Sequence, residues 1–198
     1  MKKSITFLTY VLLLLSIKSF AQVSQDSIQE NQNEHRDPTH NFTMQRLIIV
    51  NEKNQMLMCR EDYVWATPAV LYSKREFLKE SLDNLASTYG IKITTPELRG
   101  YFSYKYDYHP YSTLRSYYVA RYVSGEIKIP DGMDEAKWVT IPEAIELNTV
   151  ISIKQITKQI MNFPNTIWGG SFMVSRTEKG HPTKQVEAFY PLFSRKDN

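Results

Sequence analysis

An α/β fold is predicted by three features of the chain. Strand-like runs at Met44–Val50 and Gln55–Glu61 precede a capped amphipathic helix. A long tyrosine-rich pair of strands and two further helices follow it. A last pair of strand-like runs closes the chain, so strands and helices are interleaved along its whole length.

Met44–Val50 is a continuous apolar run. Asn51–Asn54 is its turn, and Gln55–Glu61 returns with Met56 and Met58 alternating against Leu57 and Cys59. Ser73 with Glu76 three residues on has the form of a capping box, and Gly90 suits a left-handed helix stop. Between them Leu78, Leu82, Leu85 and Tyr89 recur at i, i+4, i+7 and i+11, a buried stripe that Phe77 and Ala86 widen. Leu98–Tyr108 and Leu114–Val123 read as strands joined by a turn at His109–Ser112. A loop through Pro130-Asp-Gly132 leads to a short strand at Lys137–Thr140. Pro142–Leu147 and Ile151–Met161 read as helices, the second with Ile153, Ile156, Ile160 and Met161 on one stripe. Trp168–Arg176 and Gln185–Phe193 make a terminal hairpin within 163–198. Gly169-Gly170 inside it mark a bulge or a close backbone approach.

The first 21 residues have a different character. Lys2 and Lys3 precede an 11-residue apolar run, Phe7–Ile17, and Ser19 and Ala21 are small residues at the −3 and −1 positions of a cleavage site before Gln22. Eleven residues fall short of the roughly 20 that span a bilayer. A cleaved signal peptide over 1–21 and a periplasmic or secreted protein are expected, with no membrane association after cleavage. Residues 22–42 form a polar leader.

This segment also accounts for the basic balance. The chain has 24 Lys+Arg and 21 Asp+Glu, and three lysines with no acid lie in residues 1–21. The remainder carries 21 of each sign, which gives no support to a nucleic-acid partner. Cys59 is the only cysteine, so no internal disulfide forms, and it reads as a buried thiol.

In this order the pieces resemble a Nudix domain over residues 43–162. The family's box is Gly-x5-Glu-x7-Arg-Glu-hydrophobic-x-Glu-Glu-x-Gly-hydrophobic. Its end matches Gly90-Ile91, which puts Ala69 at the opening Gly and Arg75 at the first Glu. Asp83-Asn-Leu-Ala-Ser-Thr88 then stands for the Arg-Glu-hydrophobic-x-Glu-Glu core. Trp65 and Pro68 match a Trp-x-x-Pro-Gly-Gly lead-in, with Ala69-Val70 in place of the glycines, and Lys137–Ala144 matches the family's later strand and helix start. The resemblance implies an α/β/α sandwich with a mixed sheet, to which the C-terminal hairpin is added. It also implies that the residues at the metal-binding positions are Asn84, Ser87 and Thr88, all neutral.

Three function hypotheses follow. The first is an exported domain that binds a small ligand or a protein partner with no cofactor, through residues drawn from Trp65, Asn84, Ser87, Thr88, Tyr104 and Tyr106. Tyr101, Tyr104, Tyr106, Tyr108, Tyr111, Tyr117, Tyr118 and Tyr122 supply flat amphipathic rings, which serve equally as cross-strand packing. The second is a divergent hydrolase of a nucleoside-diphosphate-linked or other pyrophosphate compound. It would use Mg²⁺ or Mn²⁺ on the stripe Glu76, Glu80 and Asp83, with Glu80 and Asp83 catalytic and Asp134 or Glu135 as a loop acid. The same stripe serves as a solvated helix face, with acids favoured near a helix N-terminus. A third use is an interaction subunit joined through the edge of the terminal hairpin.

Overall fold

The computed structural model describes residues 43–72, 76–178 and 180–195. The expected signal peptide and the leader through residue 42 lie outside them, as does Ser73. In chain order the elements are β1 (Thr43–Val50), β2 (Gln55–Glu61), β3 (Val64–Ala66), β4 (Ala69–Tyr72), α1 (Leu78–Thr88), β5 (Ile91–Ile93), β6 (Glu97–Tyr106) and β7 (His109–Gly125). β8 (Glu135–Thr140), α2 (Ile141–Leu147), α3 (Ile151–Asn162), β9 (Thr166–Val174) and β10 (Thr183–Ser194) follow.

The strands form one mixed sheet in the order β10-β9-β6-β7-β1-β2-β3, with β4 beside β1, β5 beside β7 and β8 beside β2. β1 runs parallel to β7, and β6 parallel to β9. On the edge away from β7, β1 is divided between two partners. Its first half pairs with β4 and its last residue with β2, so the chain splits there into two sheet arms.

Side-chain alternation then sets two cores. Leu47, Ile49, Leu57 and Cys59 point to one face, where Leu82, Leu85 and Ala86 of α1 and Tyr89 at its C-cap cover them. Ile48, Val50, Met56, Met58, Phe102, Tyr104 and Tyr117 point to the other, under Ala144 of α2 and Ile156 and Ile160 of α3. This is the α/β/α sandwich. Phe102 is the aromatic hub of the second core, edge-on to Tyr117 at 5.5 Å, to Phe172 at 6.4 Å and to Phe189 at 5.8 Å. Two of those partners lie on β9 and β10. The terminal hairpin is therefore hydrogen-bonded into the sheet through β6–β9 and contributes to its core.

Three local expectations change. Helix α1 starts at Leu78 because Ala69–Tyr72 is used as strand β4 against β1. Phe77 is the N-cap residue, and the Glu80 carboxylate accepts its N–H at 3.1 Å, so the glutamate of the cap is Glu80 and not Glu76. With so late a start, Phe77 and Leu78 sit beyond the sheet, and both are exposed instead of widening the buried stripe. Finally, the β6–β7 turn falls at Asp107-Tyr108, ahead of His109–Ser112, since Tyr106 already pairs with His109. At the far end of α1, Gly90 takes φ +74, and a Cβ there would meet the Glu126 carbonyl oxygen at 2.4 Å.

Candidate functional site

The expected acidic stripe is tied up in local contacts, and Glu76 lies ahead of α1 and not on it. Glu80 caps Phe77. Asp83 pairs with Lys79 at 2.5 Å, and Glu76 accepts a hydrogen bond from the Asn84 amide at 3.1 Å. Asn84, Ser87 and Thr88 are exposed. Thr88 donates to the Leu85 carbonyl at 2.8 Å, one turn back along its own helix. None of these residues converges on a cleft. Asp134 and Glu135 are paired with Arg60 at 3.2 and 3.5 Å, and Glu135 also with Lys137 at 2.9 Å. Lys137 and Arg60 hold the Glu135 carboxyl below its ordinary range. Its neighbour Ala136 packs into the core under α1, so Glu135 points to the other face of the sheet.

A divalent cation of the Mg²⁺ class needs several convergent oxygen ligands. Among the described residues no group of three or more His, Cys, Asp or Glu could hold a metal ion. The donors do not fit the metal that a Nudix hydrolase uses.

The opposite face of the sheet holds a different cluster. Register places Tyr104 on β6, Arg115 and Tyr117 on β7 and Arg46 on β1 along this face, next to the start of α3. The Arg115 guanidinium lies 3.6 Å from the centre of the Tyr104 ring. Arg46 is 6% exposed and donates to the carbonyl and hydroxyl of Thr67, in the gap where β1 changes partners. Burial, the neighbouring Tyr117 phenol and a nearby Tyr117 hydrogen bond push the Tyr104 phenol far up, against a smaller opposing pull from Arg115 and Ser152.

This cluster is unsatisfied. Arg46 Nε, Arg115 Nε, the Tyr104 and Tyr117 hydroxyls and Ser152 Oγ are all buried, and none has a well-formed hydrogen bond. Neither arginine enters an ion pair among the described residues. A buried arginine and a half-buried one, on the sheet face that carries these hydroxyls, make a place where negative charge is favoured.

Tyr106 joins this face at its rim. Its hydroxyl lies 3.0 Å from that of Thr113, and its ring is edge-on to Tyr108 at 5.6 Å. Trp65 is held apart from the cluster, between Lys137 at 4.5 Å and Arg60 at 5.8 Å, with its carbonyl accepting the Thr149 N–H at 3.2 Å. Of the residues singled out from sequence, Tyr104 and Tyr106 share a face with the arginines, while Trp65, Asn84, Ser87 and Thr88 do not join them. Arg46 and Arg115 were missed. The available signal was an arginine inside an apolar strand, in Met-Gln-Arg-Leu-Ile-Ile-Val, which is rare without a partner. Cys59 is buried as expected, and burial pushes its thiol up.

No protein-family model matches the chain, and no curated protein matches it in sequence. The solved structures similar to it include the mutator MutT protein of Bacillus halodurans, at 18% identity over 76% of this chain and 97% of that one, with a TM-score of 0.62. The MutT protein of Methanosarcina mazei Go1 gives 17% identity, 62% and 94% coverage and a TM-score of 0.52. A Nudix hydrolase of Nitrosomonas europaea gives 15%, 62% and 90%, and 0.53. The chain has a Nudix-like fold.

Proposed function

We propose that this Nudix-like chain is an exported binding domain without metal-dependent pyrophosphohydrolase activity. Its ligand is a small molecule with an anionic group, held at the face that carries Arg46, Arg115 and Tyr104. The observation that carries the reading is the division of charge between the two sides of the sheet. The acids on and just before α1 are consumed by local contacts, while opposite them two buried arginine Nε atoms and three buried hydroxyls have no well-formed hydrogen bond. An anion entering there would accept from the guanidinium and hydroxyl donors together, and charge-assisted bonds of this kind are the stronger class. The rings of Tyr104 and Tyr106 would bound the rest of the ligand. Export rests on the sequence of residues 1–21, and periplasmic or secreted localisation goes with it.

A second reading is a divergent hydrolase of a pyrophosphate compound that draws on Glu76, Glu80 and Asp83 with Mg²⁺ or Mn²⁺. The fold likeness to MutT and Nudix hydrolases favours it. One pair of measurements separates the two. Phosphate release is measured on nucleoside diphosphates and nucleotide sugars with each metal, for the protein and Glu80→Gln. Binding of the same compounds and of inorganic phosphate is followed by calorimetry for the protein and Arg115→Met. No turnover, with binding weakened at least tenfold in Arg115→Met, is the expected result. Metal-dependent turnover that is lost in Glu80→Gln overturns the binding reading.

A further inference from the structure

The sheet has an open face that neither core uses. Along β9, Gly170 and Phe172 point to the core under α3, so Gly169, Ser171 and Met173 point the other way. Helix α1 packs farther along this side, against β4, β5 and the β1–β2–β7 core. On β10 the same face carries Lys184, Glu187 and Tyr190. Their spacing is three residues and not two, because register shifts fall between Gln185 and Glu187 and between Glu187 and Tyr190. Each bulge re-aims the next side chain to the open face.

The result is three levels about 7 Å apart. At one end Lys105 and Lys184 flank Met173. In the middle Ser103 donates to Ser171 at 2.8 Å, and Ser171 donates to the Glu187 carboxylate at 2.5 Å. At the other end Tyr101, Gly169 and Tyr190 lie in register. The Tyr190 ring lies on Gly169, where a Cβ would meet three of its atoms at 2.7, 2.7 and 3.0 Å. With one side of the ring on the backbone, Tyr190 is still 42% exposed, and Tyr101 is 41% exposed. Neither lysine has a carboxylate partner among the described ion pairs.

We propose that this face binds a saccharide bearing an acidic group. The apolar C–H face of a sugar ring stacks on the outer side of Tyr190 and Tyr101, for which a rigid amphipathic ring is suited. Its hydroxyls donate to the free lone pairs of Glu187 and exchange hydrogen bonds with Ser103. Lys105 and Lys184 meet the acidic group at the far level, the only charge complementarity the face offers. Glu187 in the middle opposes a uniform polyanion such as nucleic acid. A second copy of the chain is a poor occupant. Pro191 leaves no N–H to offer at the strand edge and the bulges interrupt its ladder, while the two lysines and Glu187 are depleted types at the core of a protein interface.

The test is binding of the purified protein to immobilised hyaluronan oligosaccharides, in which acidic and neutral sugars alternate, and to cello-oligosaccharides and chito-oligosaccharides. Saturable retention on the hyaluronan oligosaccharide is expected, reduced at least tenfold in Tyr190→Ala and in Lys184→Glu. Lys53→Ala, on a distant turn, leaves it unchanged. Gly169→Ala keeps every contacting side chain but displaces the Tyr190 ring, and it lowers affinity severalfold with an unaltered melting temperature. Absence of retention on any sugar, retention on neutral sugars alone, or full retention by Tyr190→Ala overturns the proposal. So does sedimentation showing a dimer that Tyr190→Ala converts to monomer.

Discussion

On and just before helix α1 each acid of the stripe has a partner within eight residues of sequence, and on the far side of the sheet two arginines and three hydroxyls have buried atoms without a well-formed hydrogen bond. The helix surface is wet and its side chains are long, so carboxylates find local donors cheaply and contribute small increments. The other cluster was assembled by three strands far apart in sequence and roofed by a helix. Arg46, Tyr104, Tyr117 and Ser152 are enclosed there, and a buried polar atom without a well-formed hydrogen bond is destabilising. A surface that gives up stability in this way has the character of a binding site, and a surface of closed local pairs has the character of a helix exterior.

The largest effect expected from breaking this contrast is in the aromatic hub. The polar cluster packs beside Phe102 and its three ring partners, and Phe102→Ala should remove about 3–5 kcal/mol in denaturant unfolding. A loss under about 1 kcal/mol would mean that Phe102 is not the hub of that core.

Next comes alkaline pH. Burial raises the folded-state pKa of Tyr104, and of Tyr89 and Cys59 near α1. The folded protein therefore keeps protons that the unfolded chain releases. Stability is fully present below the unfolded values and falls as pH rises through them, from roughly pH 9 for the thiol and pH 10 for the phenols, by about 1.4 kcal/mol per pH unit for each group. Melting temperatures from pH 8 to 11 check this. In Tyr104→Phe the decline should be shallower.

Tyr104→Phe sharpens the comparison directly. It deletes a buried hydroxyl with no well-formed partner and should stabilise the free protein by about 1 kcal/mol, while weakening binding of the anionic ligand. Destabilisation by as much would show that the hydroxyl is already satisfied. The smallest effects belong to α1. Glu80→Ala should cost about 0.5–1 kcal/mol through the lost cap, and Asp83→Ala at most about 0.5 kcal/mol through the lost Lys79 pair. Thermal unfolding of the two variants side by side measures both.

The chain order of strands and helices was legible because period-two and 3.6-residue patterns, the Gly90 stop and the apolar run of β1 are local properties. So was the neutrality of Asn84, Ser87 and Thr88, which is a matter of residue type alone. The short strands β3, β4 and β5 were not legible. Three or four residues give no period, and β4 exists only because β1 lends it half an edge. That pairing moved the start of α1 from Ser73 to Leu78 and the cap from Glu76 to Glu80. Which tyrosines pack and which face outward was likewise beyond the sequence. Tyr104 is enclosed and Tyr101 exposed because the parallel β6–β9 pairing and α3 cover one face and leave the other open. The sequence alone determined the longer elements and the neutral character of Asn84, Ser87 and Thr88. Tertiary structure decided that Arg115 lies over the Tyr104 ring, and that bulges turn Lys184, Glu187 and Tyr190 to one side. Register between distant strands is set by long-range packing, which no local pattern encodes.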